Sequence, residues 1–355
     1  MNDHQCPRGT EEPLVTIVTV TFNLVKAGRA ESFRKMCESI KAQSYKNIEH
    51  IIIDGASTDG TLELIRFRGL TCFSEPDEGV YDAMNKGLRK AGGVYVAFLN
   101  SDDVYCTDGA IRLSVEALLH QNADWSYGNA LWFASDTSLS PWEGTLAAIP
   151  YGALPCHQTV FAKKTALCAV NGFDINFTGM ADNLLMMRLH ASGYKSVKVD
   201  APLVVFYGGG HSESLWDLYH VQFIENFHTL YGEKCNMTLA ECESLYAGNC
   251  FSKCSVRELI KLGLKLYYPE WKQAFFEMKY DIRKISAVCG AGAVKVKCAF
   301  LGKIPVMKRR ETCRAIFYSL FGCVIVFKVK KSWNCNRFYL FGFVPILKVK
   351  VMSHE

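Results

Sequence analysis

Val94-Tyr95-Val96-Ala97-Phe98-Leu99 is an apolar run that stops abruptly at Asn100-Ser101-Asp102-Asp103. A short run of this kind, closed by turn residues, reads as a strand buried on both faces. Working back toward the N-terminus, Leu14–Phe22 is β-branched and apolar, and Ile48–Ile53 repeats the pattern before the turn chemistry of Asp54–Gly60. Between these runs lie helical patterns. From Glu31 to Ala42, Phe33, Met36, Cys37 and Ile40 fall on one face, and Leu62–Phe67 opens another helix. Short buried strands separated by helices predict an α/β fold, Rossmann-like, with a mainly parallel sheet and helices on both faces. Ligands of such sheets bind beyond the carboxyl ends of the strands. Asn23, Asp54, Asp102 and Asp103 stand there, and the aspartates are expected to meet in one crevice.

Outward from this core, Trp125 to about His211 mixes short strands with a helix near Asn183–Ser192. Ser214–Tyr231 reads as an amphipathic helix, and 236–290 looks helical without evident chemistry. The last part repeats itself: Phe300-Leu301-Gly302 is echoed at Leu320-Phe321-Gly322 and Leu340-Phe341-Gly342, with the glycines 20 residues apart. Phe327 and Val329, then Leu347, Val349 and Val351, alternate with lysines, the signature of strands with one oily and one basic face. The expected organisation is a catalytic domain over 14–232, a helical extension over 233–290 and a basic repeat tail over 291–355.

The chain of 355 residues is 49% hydrophobic and 21% charged, which excludes a disordered polymer. Residues 1–13 lack a secretory pattern, and no run approaches the roughly 18 apolar residues of a membrane span. The expected location is the cytoplasm, where the 15 cysteines stay reduced. Cys235, Cys242, Cys250 and Cys254 lack paired zinc-site spacing and are expected to pack as small hydrophobes. The net charge of +5 conceals an asymmetry, because 291–355 carries 13 Lys or Arg against 2 Glu. A basic tail on an acidic body calls for an anionic partner, such as the anionic inner face of the cell membrane; no nucleic acid is expected.

Adjacent carboxylates at a strand end are hard oxygen ligands suited to Mg²⁺ or Mn²⁺, although Asp is equally at home in a solvated turn. Larger motifs decide between these readings. Val15-Thr16-Ile17-Val18-Thr19-Val20-Thr21-Phe22-Asn23, Asp54-Gly55-Ala56-Ser57-Thr58-Asp59-Gly60-Thr61 and Ser74-Glu75-Pro76-Asp77-Glu78-Gly79-Val80-Tyr81-Asp82-Ala83-Met84-Asn85-Lys86-Gly87 precede Phe98-Leu99-Asn100-Ser101-Asp102-Asp103. Together they resemble the family-2 glycosyltransferases of the GT-A fold, over about residues 14–211, and are similar to bacterial exopolysaccharide and lipopolysaccharide enzymes.

The resemblance implies an inverting transferase that uses a nucleotide sugar, by family expectation a UDP-sugar, a divalent cation (Mn²⁺ or Mg²⁺) and a glycan or lipid-linked acceptor. It implies donor contacts from Thr21, Phe22, Asn23, Asp54, Asp82, Asn85, Lys86, Asn100 and Ser101. The metal would be held by Asp102, with support from Asp103, and His211 would reach the diphosphate after a glycine-rich loop, Gly208-Gly209-Gly210. Asp182, in Gly179-Met180-Ala181-Asp182-Asn183-Leu184, matches the place of the catalytic base, with Asp174 as its rival. His157 and Gln158 resemble the acceptor-side segment. The sequence departs from the pattern twice. Gly55 follows Asp54 where many relatives have a second aspartate, and Asn100 stands where many have Asp. With neither a span nor a Q-x-x-R-W motif, non-processive transfer in surface polysaccharide synthesis is expected. A sugar nucleotidyltransferase would want a basic, glycine-rich loop after the first strand, which Thr21-Phe22-Asn23-Leu24 does not offer. A binding module with a degenerate site is the other alternative.

Overall fold

A computed structural model describes residues 12–133, 139–151, 154–177, 179–207, 216–246, 265–271, 295–301, 304–311, 315–320, 324–332, 335–340 and 344–350. Two compact units emerge, Met1–Ala247 and Gly248–Glu355.

The first unit is built on a nine-stranded sheet. Its parallel half comprises β1 (Val15–Thr21), β2 (Ile48–Asp54), β3 (Thr71–Ser74) and β4 (Tyr95–Phe98), in the order β3-β2-β1-β4. Helices α1 (Ala30–Lys41), α2 (Thr61–Phe67) and α3 (Val80–Lys90) make the crossovers. Beyond β4 the pairing changes character. The remaining strands are β5 (Val104–Tyr105), β6 (Trp125–Phe133), β7 (Leu139–Trp142), β8 (Phe161–Lys163) and β9 (Ser196–Tyr207). β8 runs antiparallel to β4 and β6, and β9 parallel to β6. The mainly parallel expectation therefore describes the first half, and the second half is mixed.

Apolar periodicity sets the packing. Phe33, Met36 and Ile40 of α1 are buried against Ile17 and Ile52 of the sheet and lie in one core with Val115 and Leu118 of α4 (Ala110–Gln121). Fully burying each such side chain contributes about 1.5–3 kcal/mol. Helix α3 comes especially close to β1, because a Cβ at Gly87 would sit 2.3 Å from Val18 Cγ1. After α5 (Lys164–Ala169), helix α6 (Ala181–Ala191) buries Leu184, Leu185, Met187 and Leu189. Helix α7 (Trp216–Cys235) docks on α6: the Tyr231 hydroxyl donates to Met187 O at 2.9 Å, and Phe223 and Phe227 are buried. Ser214 and Leu215 lie outside the described residues. Cys235 and Cys242, the latter on α8 (Leu239–Tyr246), are 1% and 2% exposed, as expected of thiols packed as hydrophobes. Cys250 and Cys254 lie outside the described residues.

In the second unit, six strands, β10 (Lys295–Leu301), β11 (Ile304–Glu311), β12 (Ala315–Leu320), β13 (Val324–Ser332), β14 (Cys335–Leu340) and β15 (Val344–Lys350), pair antiparallel in chain order. Each 20-residue repeat thus supplies two neighbouring strands, while Gly302, Gly322 and Gly342 lie outside the described residues. The register sets Lys330 beside Arg337, and Arg337 beside Lys348.

Candidate active site

Three strand tips and the start of α6 build the site. At the first tip, Asp54 ends β2 with its carboxylate wholly buried. It accepts hydrogen bonds from Thr21 Oγ1 (3.0 Å), Ser57 Oγ (2.6 Å), Ser57 N (2.8 Å) and Ser74 Oγ (2.8 Å). These four donors tie the ends of β1, β2 and β3 into one knot. A carboxylate so committed has no lone pair to spare for a ligand. Asn23 continues the knot: its backbone N–H donates to Ser57 Oγ at 2.8 Å, and its Oδ1 accepts from Thr58 N at 3.1 Å.

At the tip of β4, the turn Asn100–Asp103 carries two aspartates with opposite fates. Asp103 is 1% exposed. Its Oδ1 accepts from Tyr207 N at 2.7 Å, at the end of β9, and its Oδ2 from Gln158 Nε2 at 2.6 Å and Asn100 Nδ2 at 3.3 Å. Burial, and then the charge of Asp102, push its carboxyl up to about 6. Gln158 is wholly buried, and its Oε1 accepts from Asn100 N at 2.8 Å, so one amide straps both ends of the turn. Asp102 instead faces out. Its side chain is 22% exposed, and its Oδ2 lies 2.8 Å from Arg29 Nη1, just ahead of α1.

Asp182 stands in the first turn of α6, where the helix dipole favours negative charge. His157 Nδ1 lies 3.0 Å from its Oδ2, and the Tyr81 hydroxyl donates to Oδ1 at 3.3 Å. A carboxylate only accepts, so the imidazole must carry its proton on Nδ1. Burial alone would raise the Asp182 carboxyl, but the His157 hydrogen bond and charge hold it below the usual value. Asp174, the rival, is taken up by Arg188 Nη2 at 2.8 Å and by Asn176.

A cavity of about 1410 Å³ joins these parts. Of the residues expected to act, it is bordered by Thr21, Phe22, Asp82, Asn100, Ser101, Asp102, Asp103, His157 and Asp182. Asn23, Asp54, Asn85, Lys86 and Gln158 do not border it. The expectation that Asp54 and Asp102 share a crevice is thereby corrected: Asp102 opens on the cavity, and Asp54 fastens the strands beneath it. Asn85 is likewise committed elsewhere, its amide spanning Phe173 O (2.7 Å) and Phe173 N (2.9 Å). Lys86 reaches Pro76 O (2.5 Å) and Asp82 (3.1 Å). Gln158, expected on the acceptor side, supports the Asn100–Asp103 turn from beneath. His211 lies outside the described residues.

The cavity has members that sequence reasoning missed. Arg29 is one, and Asp77, Glu78 and Glu143 add carboxylates. Trp132, Trp142, Phe206 and Tyr207 form an aromatic wall of the cavity. The Trp142 indole N–H donates to Leu154 O at 3.1 Å, and its ring meets Phe206 edge-on at 5.9 Å, which fixes its orientation.

This arrangement, parallel strand tips with carboxylates facing a helix-borne carboxylate across one cavity, is an α/β sheet with its ligand cavity at the carboxyl ends of the strands. Comparison with known proteins gives the family. The model of glycosyl transferase family 2 matches residues 16–168. An uncharacterized glycosyltransferase of Mycobacterium tuberculosis is 30% identical over 188 residues, covering 50% of this chain and 70% of that protein. A PGL/p-HBAD biosynthesis glycosyltransferase of the same organism is 27% identical over 179 residues, covering 48% and 67%. Staphylococcus aureus TarS residues 1–349, in complex with UDP-GlcNAc, shares the fold at a TM-score of 0.52 and 15% identity, covering 81% of this chain and 94% of that one. The chain belongs to glycosyl transferase family 2, and it is a glycosyltransferase with a GT-A-like catalytic fold.

Proposed function

We propose that the protein transfers a sugar, with inversion and one unit per encounter, from a nucleotide sugar to a hydroxyl of a glycan or lipid-linked acceptor in surface polysaccharide synthesis. The reading rests on one observation: Asp102 and Asp182, a strand-tip carboxylate and a helix-borne carboxylate, border the same cavity. Its volume of about 1410 Å³ exceeds the usual range for a single small ligand, roughly 300–1,000 Å³, and leaves room for donor and acceptor together. TarS, whose fold the chain shares, was captured with UDP-GlcNAc, and a UDP-sugar is the donor we favour. Residues 14–232 would do this work.

The charge of the cavity argues for a divalent cation. Asp77, Glu78, Asp82, Asp102, Asp103, Glu143 and Asp182 border it, against Arg29 as the one Lys or Arg among the described lining residues. A diphosphate entering such a field is repelled unless positive charge accompanies it. No group of three or more His, Cys, Asp or Glu side chains forms a ready-made metal cage among the described residues. That fits Mg²⁺ or Mn²⁺ held by one carboxylate, Asp102, with substrate phosphates completing the shell. When bound, the ion would offset the charge that develops on the departing diphosphate. Asp102 must then exchange Arg29 for the ion, which frees the guanidinium to contact phosphate.

Asp182 takes the proton from the attacking hydroxyl. His157 and Tyr81 hold the carboxylate from two sides, so that its orientation is set before the acceptor arrives. The aromatic wall offers flat apolar faces to the acceptor, and Trp132 and Trp142 are 43% and 37% exposed. Screening nucleotide sugars for hydrolysis and transfer with Mn²⁺, then with the ion chelated, tests the function. Release of a nucleoside diphosphate from one donor, abolished by chelation, is expected; no turnover of any donor refutes it in favour of a binding module.

The tail is assigned to an anionic surface, the inner face of the cell membrane. No helix among the described residues is long and apolar enough to cross a membrane, so attachment would be peripheral. Each basic residue near such a surface contributes about 1 kcal/mol. Sedimentation with phosphatidylserine vesicles should show binding at low salt that is lost at high salt. Absence of binding at both salt levels overturns the assignment.

A further inference from the structure

Strand register gathers the aromatic wall on one face of the sheet. Trp142 of β7 pairs with Ala130 of β6, and Trp132 of β6 pairs with Phe206 of β9. Side chains two apart on a strand share a face, so Trp132, Trp142 and Phe206 stand together around Ala130. Trp132 and Trp142 are diagonal neighbours there, about 7–8 Å apart. Ala130 is small enough for the Trp142 ring to lean across it and meet Phe206 edge-on. No other ring packs on Trp132 among the described residues, which leaves its indole, 43% exposed, open to the cavity that it borders. The wall is also pinned to the segment that carries the partner of Asp182. The Trp142 N–H reaches Leu154 O, and a Cβ at Gly144 would lie 2.1 Å from Pro155 Cα, so the chain leaving β7 lies flat against Leu154-Pro155-Cys156-His157. Glu143 falls between these two anchors. It is exposed, it borders the cavity, and no cation among the described residues pairs with it.

An open indole and an unpaired carboxylate together describe a ligand. The negative face of the ring attracts the slightly positive C–H bonds on the apolar side of a pyranose. An ionised carboxylate only accepts, so it wants hydroxyl donors. A negatively charged ligand would find no counter-charge, because Arg29, the one Lys or Arg among the described lining residues, is engaged with Asp102. We propose that the acceptor is an uncharged sugar residue that stacks on Trp132 and donates hydroxyl hydrogen bonds to Glu143, and that Glu143 turns away sugars bearing a carboxylate or phosphate. The inference rests on the sugar-transfer reading and narrows its acceptor. Glu143 acts here as the repulsive element of a specificity device, since juxtaposed like charges are a strong means of rejecting a wrong partner. The donor escapes the same rejection only because its diphosphate enters with a cation.

The test is saturation-transfer NMR on the full chain with UDP and Mn²⁺, using methyl glucoside against methyl glucuronoside and methyl galactoside against methyl galacturonoside. The members of each pair differ only in carrying a hydroxymethyl or a carboxylate. The neutral member of at least one pair should bind about tenfold or more tighter than its uronate, with saturation reaching its ring C–H protons. Trp132→Ala should lower that affinity by about tenfold, the scale of a buried aromatic anchor, and Trp132→Phe should keep most of it. Glu143→Gln should narrow the neutral-to-uronate ratio by at least about threefold, because the amide has the same shape without the charge. Uronates that bind as well as their neutral partners, no binding of either neutral glycoside, unchanged affinity in Trp132→Ala, or a ratio indifferent to Glu143→Gln would each overturn the proposal. Should Trp132→Ala fail to fold, Glu143→Gln decides on the ratio alone. Release of nucleoside diphosphate by the unaltered protein separates the two levels: if no nucleotide sugar is turned over, the functional reading falls, whereas turnover that a uronate accelerates more than its neutral partner removes only this acceptor assignment.

Discussion

Asp182→Asn should leave nucleotide binding intact and lower sugar transfer by about 10²–10⁴-fold, the usual contribution of a positioned general base. The amide keeps the shape of the carboxylate: its oxygen can meet the His157 Nδ1–H, and its NH2 can donate to the Tyr81 hydroxyl oxygen. What it loses is the capacity to take a proton. The structure also fixes the sign of the pH dependence. Because His157 holds the Asp182 carboxyl below its ordinary value, the group stays ionised as pH falls, and the Asp182 contribution to the acid limb of the transfer rate should lie below the usual carboxylate range. Steady-state transfer across pH, with UDP binding measured in parallel, checks both points. Near-normal turnover in Asp182→Asn would mean that another group is the base.

Asp102→Ala should abolish the enhancement of UDP binding by Mn²⁺, a loss of at least about 10²-fold. Even indirect partners of metal ligands cost about 10–100-fold when removed. Here the direction of the effect is more telling than its size. Asp102 is one of several acids bordering the cavity, and its removal also releases Arg29 from a 2.8 Å ion pair. If no cation were involved, less negative charge and a freed guanidinium would both strengthen diphosphate binding. A tighter complex in Asp102→Ala than in the unaltered protein, both with Mn²⁺ present, would therefore refute the cation. Binding weaker than that of the unaltered protein with Mn²⁺, and no longer responsive to chelation, is the expected outcome in a calorimetric titration.

The strands and helices that carry the site follow from periodicity. Ile51, Ile52 and Ile53 are all buried, and Phe33, Met36 and Ile40 face the core at helical spacing. What periodicity misses is small or lies at an edge. β3, four residues with mostly exposed side chains, shows no alternation to detect. β8, three residues long, gives no hint that it runs antiparallel between β4 and β6. The site was legible to the level of residue type but not of orientation. Asp54 and Asp102 both follow apolar strands, yet one is sealed by Thr21, Ser57 and Ser74, which are brought together only by tertiary packing. Arg29 and Asp77 sit in connecting segments where neither period nor neighbouring residues distinguishes a cavity residue from a solvated one. Asn85 and Gln158, to which the family resemblance gives donor and acceptor contacts, are engaged in bracing loops.

The clamp made by Gln158 has a practical consequence for redesign. A single amide grips the Asn100 backbone and the Asp103 carboxylate from a segment adjoining His157, the partner of Asp182. Substitutions there would slacken the Asn100–Asp103 turn in the same stroke, so under the proposed function altered acceptor selectivity would arrive with impaired donor use. None of the hydrogen bonds that brace that turn comes from Trp132 or Trp142, so the aromatic wall can be varied there with the Gln158 clamp intact.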